Sequence, residues 1–381
     1  MIYLIGMGEP LPANNNRLQR MGHLFEFLIS IKKVKVKWIT ANFDHYSKEF
    51  ISTNDKNILL LKTSSYYKNQ SIKRIISHWS FSLNLLIYLF CNIKKNDVVF
   101  ISSVPPEIGL IVFIVKLFKK FEYVVDLRDL WPDVFIELKM SKLKKISLSI
   151  YFNLLNKIMF LNAKKMISPS KGYLDYFIMK YNLNLPSEEI YFTYINSDKI
   201  LQKNIIKNLN MVFCGSVNDY FDFNQILKVA KNNRLINLHI IGKGESIKII
   251  EKFKLENNLH NIYLHGYLNH KKINKIMKQM DIGIAPYKNI KNFNLNITNK
   301  IVEYLSFGLP VLTSCSGYQK EFIEKNNLGY SYQDYNSLEI LIAKLSDLKF
   351  RSHISQNCST FFLNNMNYKE NMEKIFKSLT N

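Results

Sequence analysis

Thr298-Asn299-Lys300, followed three residues later by Glu303, is the set of side chains in this sequence best suited to chemistry. A Thr-Asn-Lys turn ahead of a short helix offers backbone N–H groups, a hydroxyl and an ammonium, which together can cradle a diphosphate. Glu303, expected on the first turn of that helix, can accept two hydrogen bonds from a vicinal diol such as a ribose. Gly308 and Pro310 then stop the helix ahead of a strand over 311–313. An ordinary capped helix with a surface glutamate has the same residues, so the segment alone leaves both readings open.

A second cluster lies in the first half. The apolar run before Asp126 leads straight into Asp126, Arg128, Asp129 and Asp133, with Trp131 among them. Charges at the carboxyl end of a central strand are costly unless they pair or serve chemistry. The cluster is therefore either a structural ion-pair network or a site with a carboxylate, an oxygen-binding arginine and a stacking tryptophan. No histidine is nearby and the spacing matches no familiar cage, so no metal is expected. His45 falls in a polar loop after the second strand, as a structural ring or as a substrate contact. Arg17 ends the polar run that begins at Pro10, and Arg20 lies on the helix after it. That run is either a substrate-covering loop or a solvated connector. Gly6 and Gly8 lack the third glycine of a dinucleotide fingerprint. The turn over 102–107, with two helix-starting prolines, is explained by structure alone.

The elements that must position these groups alternate β-branched runs with helical patterns along nearly the whole chain, the signature of parallel sheets with crossover helices. Strands are predicted over 2–5, 34–39, 58–61, 98–102, 123–126 and 166–168, with 34–39 as an edge strand because Lys33, Lys35 and Lys37 alternate with apolar residues. The pattern restarts at 210–215 and continues through 238–242, 262–264, 282–285, 311–313 and 330–332. The stretch 181–189 is the most linker-like. A final helix over 368–379 is expected to return to the first domain. Two doubly wound α/β domains follow, 1–185 joined by 366–381, and 196–365, facing a central cleft where ligands bind.

At 381 residues the chain is long enough for two such cores, and 47% hydrophobic content excludes disorder as its main state. Four cysteines without metal-ligand spacing read as thiols of a reducing compartment. A net charge of +22, concentrated in the first half, favours phosphorylated or anionic partners. No nucleic-acid reader motif accompanies it. The apolar runs 81–91 and 108–118 are short of a membrane span and read as buried helices, and no signal peptide is expected at the start. Basic amphipathic helices over 139–165 and 72–95 fit either core packing with a solvated lysine face or an anionic membrane surface.

Together, the segments 43–48, 126–133, 167–170, 194–196, 213–215, 241–244, 265–267, 281–287 and 297–311 resemble the family 4 glycosyltransferases of the GT-B fold, most closely bacterial members that build surface polysaccharides. The resemblance implies a retaining, metal-independent hexosyltransferase. It implies a nucleotide-diphosphate sugar, UDP-linked, as substrate, no cofactor, and a lipid-linked glycan acceptor such as a polyprenyl diphosphate. It also implies a cytoplasmic protein held peripherally at the inner face of the membrane. The donor would be held by Glu303 on the ribose, by Lys300, Asn299 and Thr298 at the phosphates, and by Gly215, Ser216, Lys243 and Pro286. Asp126, Arg128 and Asp129 stand at the strand end near the sugar as the catalytic group. His45, Arg17, Arg20 and Trp131 would meet the acceptor. Two departures stand out. Leu295 replaces the first glutamate of the family's pair, and Ser216 with the run 219–223 replaces a basic pair after Gly215. A scaffold protein of a glycan-assembly complex and a nucleotide-sugar epimerase are the competing readings.

Overall fold

The computed structural model describes residues 1–12, 18–68, 71–133, 141–195 and 208–380. The chain forms two compact units, one from Met1–Tyr191 with Lys369–Asn381 and the other from Phe192–Tyr368.

The first unit is built on the strands β1 (Ile2–Ile5), β2 (Val36–Ala41), β3 (Ile58–Leu61), β4 (Val98–Ser102), β5 (Glu122–Asp126), β6 (Lys165–Ser168) and β7 (Ser187–Glu189). They are parallel, in the order β3-β2-β1-β4-β5-β6-β7. β1 is wholly buried, as expected of a central strand covered on both faces. Between β1 and β4 the order of connection reverses, which opens a crevice at the strands' carboxyl ends. Loops after β1, β2, β4 and β5 all converge there.

Two expectations for this unit are corrected. β2 lies between β1 and β3 rather than at an edge, and Val36, Trp38 and Ile39 are buried. The lysine alternation misled because Lys33 and Lys35 precede the strand, Lys33 with φ of 53° in a turn. Lys37 escapes burial by donating to the Lys56 carbonyl oxygen at 2.7 Å. The stretch 181–189 is not a linker. It ends a helix and then forms the edge strand β7, whose Ser-Glu-Glu composition suits a strand with one unpaired side.

Helices Ile72–Asn92, Glu107–Lys119 and Lys142–Leu161 pack side by side, the first on the second and the second on the third. The apolar run at 81–91 belongs to a helix of 21 residues, long and apolar enough by length and composition to cross a membrane. Its inner face, including His78, Phe81, Leu85 and Leu89, is buried in the unit. The helix Tyr368–Thr380 also belongs here: Asn371 donates to the Tyr191 carbonyl oxygen at 3.3 Å and Glu373 pairs with Lys32 at 2.6 Å.

The second unit holds β8 (Leu209–Cys214), β9 (Ile236–Ile241), β10 (Ile262–Gly266), β11 (Ile282–Ala285), β12 (Val311–Thr313) and β13 (Gly329–Ser331). Their order, β10-β9-β8-β11-β12-β13, reverses between β8 and β11. β8 is buried along its whole length.

Candidate functional site

In the second unit, the switch between β8 and β11 is the place where a doubly wound sheet takes its ligand. β8 delivers Gly215 to that point and β9 delivers Gly242. Their φ angles are 137° and 140°, and a Cβ on Gly242 would meet the Gly215 carbonyl oxygen at 1.9 Å. Side chains are excluded by conformation and by contact, so bare backbone forms the surface there.

Helix Asn299–Ser306 sets Lys300 against this turn: a Cβ on Gly215 would lie 2.0 Å from Nζ. The ammonium donates to the Cys214 carbonyl oxygen and stands 4.0 Å from the Phe213 ring centroid. Thr298 is the N-cap, which places Glu303 in the second turn rather than the first. Glu303 is buried, with Oε1 4.0 Å from Cys214 Sγ. Tyr304 donates to the Ile284 carbonyl oxygen at 2.9 Å and accepts the Cys214 N–H at 3.2 Å, tying the helix to the ends of β8 and β11. Burial holds its hydroxyl well above the usual range, so it stays a phenol.

Gly215, Lys300 and Glu303 are thus gathered around Cys214. Thr298 is buried, and its Oγ1 accepts from Tyr287 at 2.9 Å. Pro286 is buried and its carbonyl oxygen accepts the Asp222 N–H at 2.7 Å. Ser216, Lys243 and Asn299 are exposed. In the run 219–223, Phe221 and Phe223 pack on Phe213 rather than replacing a basic pair.

In the first unit, a cavity of about 180 Å³ occupies the β1/β4 switch point. Its walls include Glu9, His45, Tyr66, Arg74, His78 and Arg128. Behind it runs an ion ladder. Arg20 Nη1 donates to Asp126 Oδ1 at 3.2 Å and its Nη2 to the Ile190 carbonyl oxygen. Arg128 Nε donates to Asp126 Oδ2 at 2.5 Å and its Nη1 to Glu9. Glu9 also accepts the N–H groups of Met21 and Gly22 at 3.0 and 3.3 Å, at the start of helix Arg20–Glu26.

Asp126 is fully buried with both oxygens engaged, and Arg20 is spent on Asp126 and Ile190. Neither is placed to touch a substrate, which corrects the catalytic reading of Asp126 and the acceptor reading of Arg20. Burial pushes the Asp126 carboxyl up to about 6, against the opposing charge of Arg20. Arg128 and Asp129 do line the cavity. Burial brings Arg128 down to about 10, with Asp129 opposing. Trp131 is a core residue, edge-on to Phe152 at 5.3 Å and beneath Arg74 at 5.0 Å, and so is also corrected. Arg17 lies outside the described residues.

His45 lines the cavity, and its Nδ1 lies 2.6 Å from the Tyr66 hydroxyl. Arg74 donates to the same hydroxyl, and with Tyr66 donating onward to Nδ1 the His45 proton would lie on Nε2. Burial, then the charges of Arg74 and Lys48, bring His45 down to about 4. His78 completes the inner wall, and Glu107 lies behind it, its Oε2 3.6 Å from His78 Nδ1. Glu107 is fully buried, and its Oε1 accepts from Tyr151 at 2.7 Å. Sequence reasoning missed Glu9, Tyr66, Arg74, His78 and Glu107. Only the prolines before Glu107 marked its position, and they were explained as a helix start.

Residues 209–348 match a family model described as glycosyl transferases group 1. No curated protein matches the chain in sequence. Solved structures similar over the whole length include sucrose-phosphate synthase from Thermosynechococcus elongatus, 13% identical over 99% of this chain and 97% of that one, with a TM-score of 0.75. HepE from Anabaena in complex with UDP is 12% identical over 100% and 99%, with a TM-score of 0.70. WaaG, a glycosyltransferase involved in lipopolysaccharide biosynthesis, is 12% identical over 100% of both chains, with a TM-score of 0.69. At these identities the likeness is one of fold: two parallel-sheet α/β Rossmann-like units, as in GT-B glycosyltransferases.

Proposed function

We propose that the chain is a glycosyltransferase whose second unit holds a nucleotide-diphosphate sugar and whose first unit holds the acceptor. The observation that carries this reading is the cradle of Gly215, Gly242, Lys300 and buried Glu303 at the β8/β11 switch point, inside the stretch that matches the family model. A backbone-lined turn beside an ammonium suits a diphosphate, and a carboxylate one turn further suits a ribose. HepE has also been solved with UDP-glucose, which supports UDP as the nucleotide. A retaining, metal-independent hexosyl transfer is the finer form of the proposal. It is supported by the resemblance of the 281–287 and 297–311 segments to family 4 enzymes and by the electrostatic suitability of the cradle for a leaving diphosphate. Titration calorimetry of the full chain with UDP, GDP and ADP tests it. UDP is expected to bind, and Glu303→Ala to weaken it about tenfold or more, the loss of one charged hydrogen bond. Absence of binding by all three would leave the scaffold reading, which Leu295 and Ser216 favour.

The acceptor is proposed to be lipid-linked and the protein to work at the inner face of a membrane. Support comes from the outer faces of helices Ile72–Asn92 and Lys142–Leu161. Ile76, Leu83 and Ile87 on the first, and Leu143, Ile150 and Leu154 on the second, are exposed at helical spacing. Lys73, Lys94, Lys95, Lys142 and Lys144 are exposed around them. An apolar stripe flanked by lysines suits an anionic lipid surface.

A further inference from the structure

We propose that His78, held from behind by Glu107, is the group in the first unit's cavity that takes the proton from an acceptor hydroxyl. This rests on the reading that the first unit holds the acceptor. His78 lines the cavity yet its side chain is only 4% exposed, and its Nδ1 faces Glu107 Oε2 at 3.6 Å. Both of those atoms are buried without a hydrogen bond; Nε2 is not among the buried unpaired atoms, and we take it as the nitrogen facing the cavity that His78 lines. A rotation of either side chain that shortens 3.6 Å to hydrogen-bond length makes Nδ1–H donate to Glu107 and leaves Nε2 as a base.

The carboxylate is itself fixed. Its Oε1 accepts from Tyr151, whose oxygen accepts from Trp79 Nε1, each at 2.7 Å. Glu107, Tyr151 and Trp79 come from the three side-by-side helices, so packing of all three sets the direction of the imidazole. Glu107 and Tyr151 are thus positioning residues. Across the cavity, His45 with Tyr66 donating to its Nδ1 would carry its proton on Nε2, the opposite sense. A hydroxyl donates one hydrogen bond and accepts others, and this pair of rings offers it an acceptor and a donor. In transfer, the acceptor O–H bond breaks and its proton goes to His78 Nε2. The oxygen bonds to the sugar's anomeric carbon on the face from which the nucleotide diphosphate departs, as retention requires, and the bond from that carbon to the diphosphate breaks with its electron pair leaving on the phosphate oxygen. The other charged groups lining the cavity with His78 are Arg74 on its own helix, Glu9 after β1, and Arg128 and Asp129 after β5.

A structural ring, satisfied at the start of helix Glu107–Lys119, is the competing account. The full chain with 15N-labelled histidine separates the two by ring-nitrogen NMR. His78 is expected to keep its proton on Nδ1 with Nε2 bare, and Glu107→Gln to move its Nδ1 signal. A panel of methyl glycosides is expected to perturb the His78 and His45 signals saturably. A proton on Nε2 throughout, no shift in Glu107→Gln, or no perturbation by any glycoside would overturn the proposal. With a glycoside that accepts sugar from UDP-glucose, His78→Asn is expected to lower kcat about 100-fold, the usual scale of a general base. The KM for UDP-glucose should stay within about twofold; an unchanged kcat is the contrary result. UDP calorimetry on the same variants keeps the donor reading separate, since UDP binding should survive them all.

Discussion

At the scale of single residues, the first unit stakes its stability on two kinds of buried polar group. Asp126 is held by two guanidiniums, and removing one leaves a buried charge underneutralised. Arg20→Met is expected to destabilise the chain by about 3–5 kcal/mol in urea unfolding, the range for breaking a buried pair. His45 gives a pH dependence of definite sign. Its ring stays neutral down to about pH 4 in the folded chain, against an ordinary value of 6.5. Between those values the unfolded chain binds more protons at His45, so the contribution of His45 to stability falls on acidification from 6.5 to 4, while buried Asp126, raised to about 6, contributes with the opposite sign. The loss should be smaller in His45→Gln, which chemical denaturation across that pH window would reveal. An anionic ligand in the cavity would offset Arg74 and Lys48 and move the His45 titration upward.

At the scale of elements, the sheets could be read from the sequence because their central strands are buried on both faces and appear as unbroken apolar runs. β1, β4, β11 and β12 lie where those runs predict them. β7 was missed for the opposite reason: as an edge strand it needs little apolar character, and Ser187-Glu-Glu189 carries no such signal. The three helices over the first sheet show two faces to different surroundings, and only the buried one is explained by packing. Their outer stripe should bind vesicles containing phosphatidylglycerol more tightly than neutral ones, and Ile87→Asp with Leu154→Asp should remove most of that binding without changing the UDP affinity. Sedimentation with liposomes at low and high salt measures both the apolar and the electrostatic share.

At the scale of the whole molecule, the nucleotide cradle was partly legible because its key residues lie within one local segment, 297–311, and a strand-end glycine. The cavity of the first unit was not. Glu9, Tyr66, His78 and Arg128 sit on four separate stretches of chain, and only the parallel sheet's crossovers bring them to one crevice. Composition could not distinguish Arg20, a buried strut, from Arg128, a cavity wall, since both look like basic residues near strand ends. The helix Tyr368–Thr380 offers a check on the division into units. Truncation after Tyr368 should raise hydrogen exchange in β7 and in the helix following β1, while the exchange of β8 and β9 stays as it was.

That last helix also sets an order on synthesis. Its contacts with Lys32, Glu188 and Tyr191 bind residues separated by the whole of the second unit. A chain emerging from the ribosome can therefore finish its second unit while the first is still missing a packing partner. With synthesis at about 5–20 residues per second, the exposed edge at β7 waits on the order of ten seconds or more for its cover. In that interval the half-finished unit is the part of the nascent protein most open to chaperones, and to mispairing with a neighbouring chain.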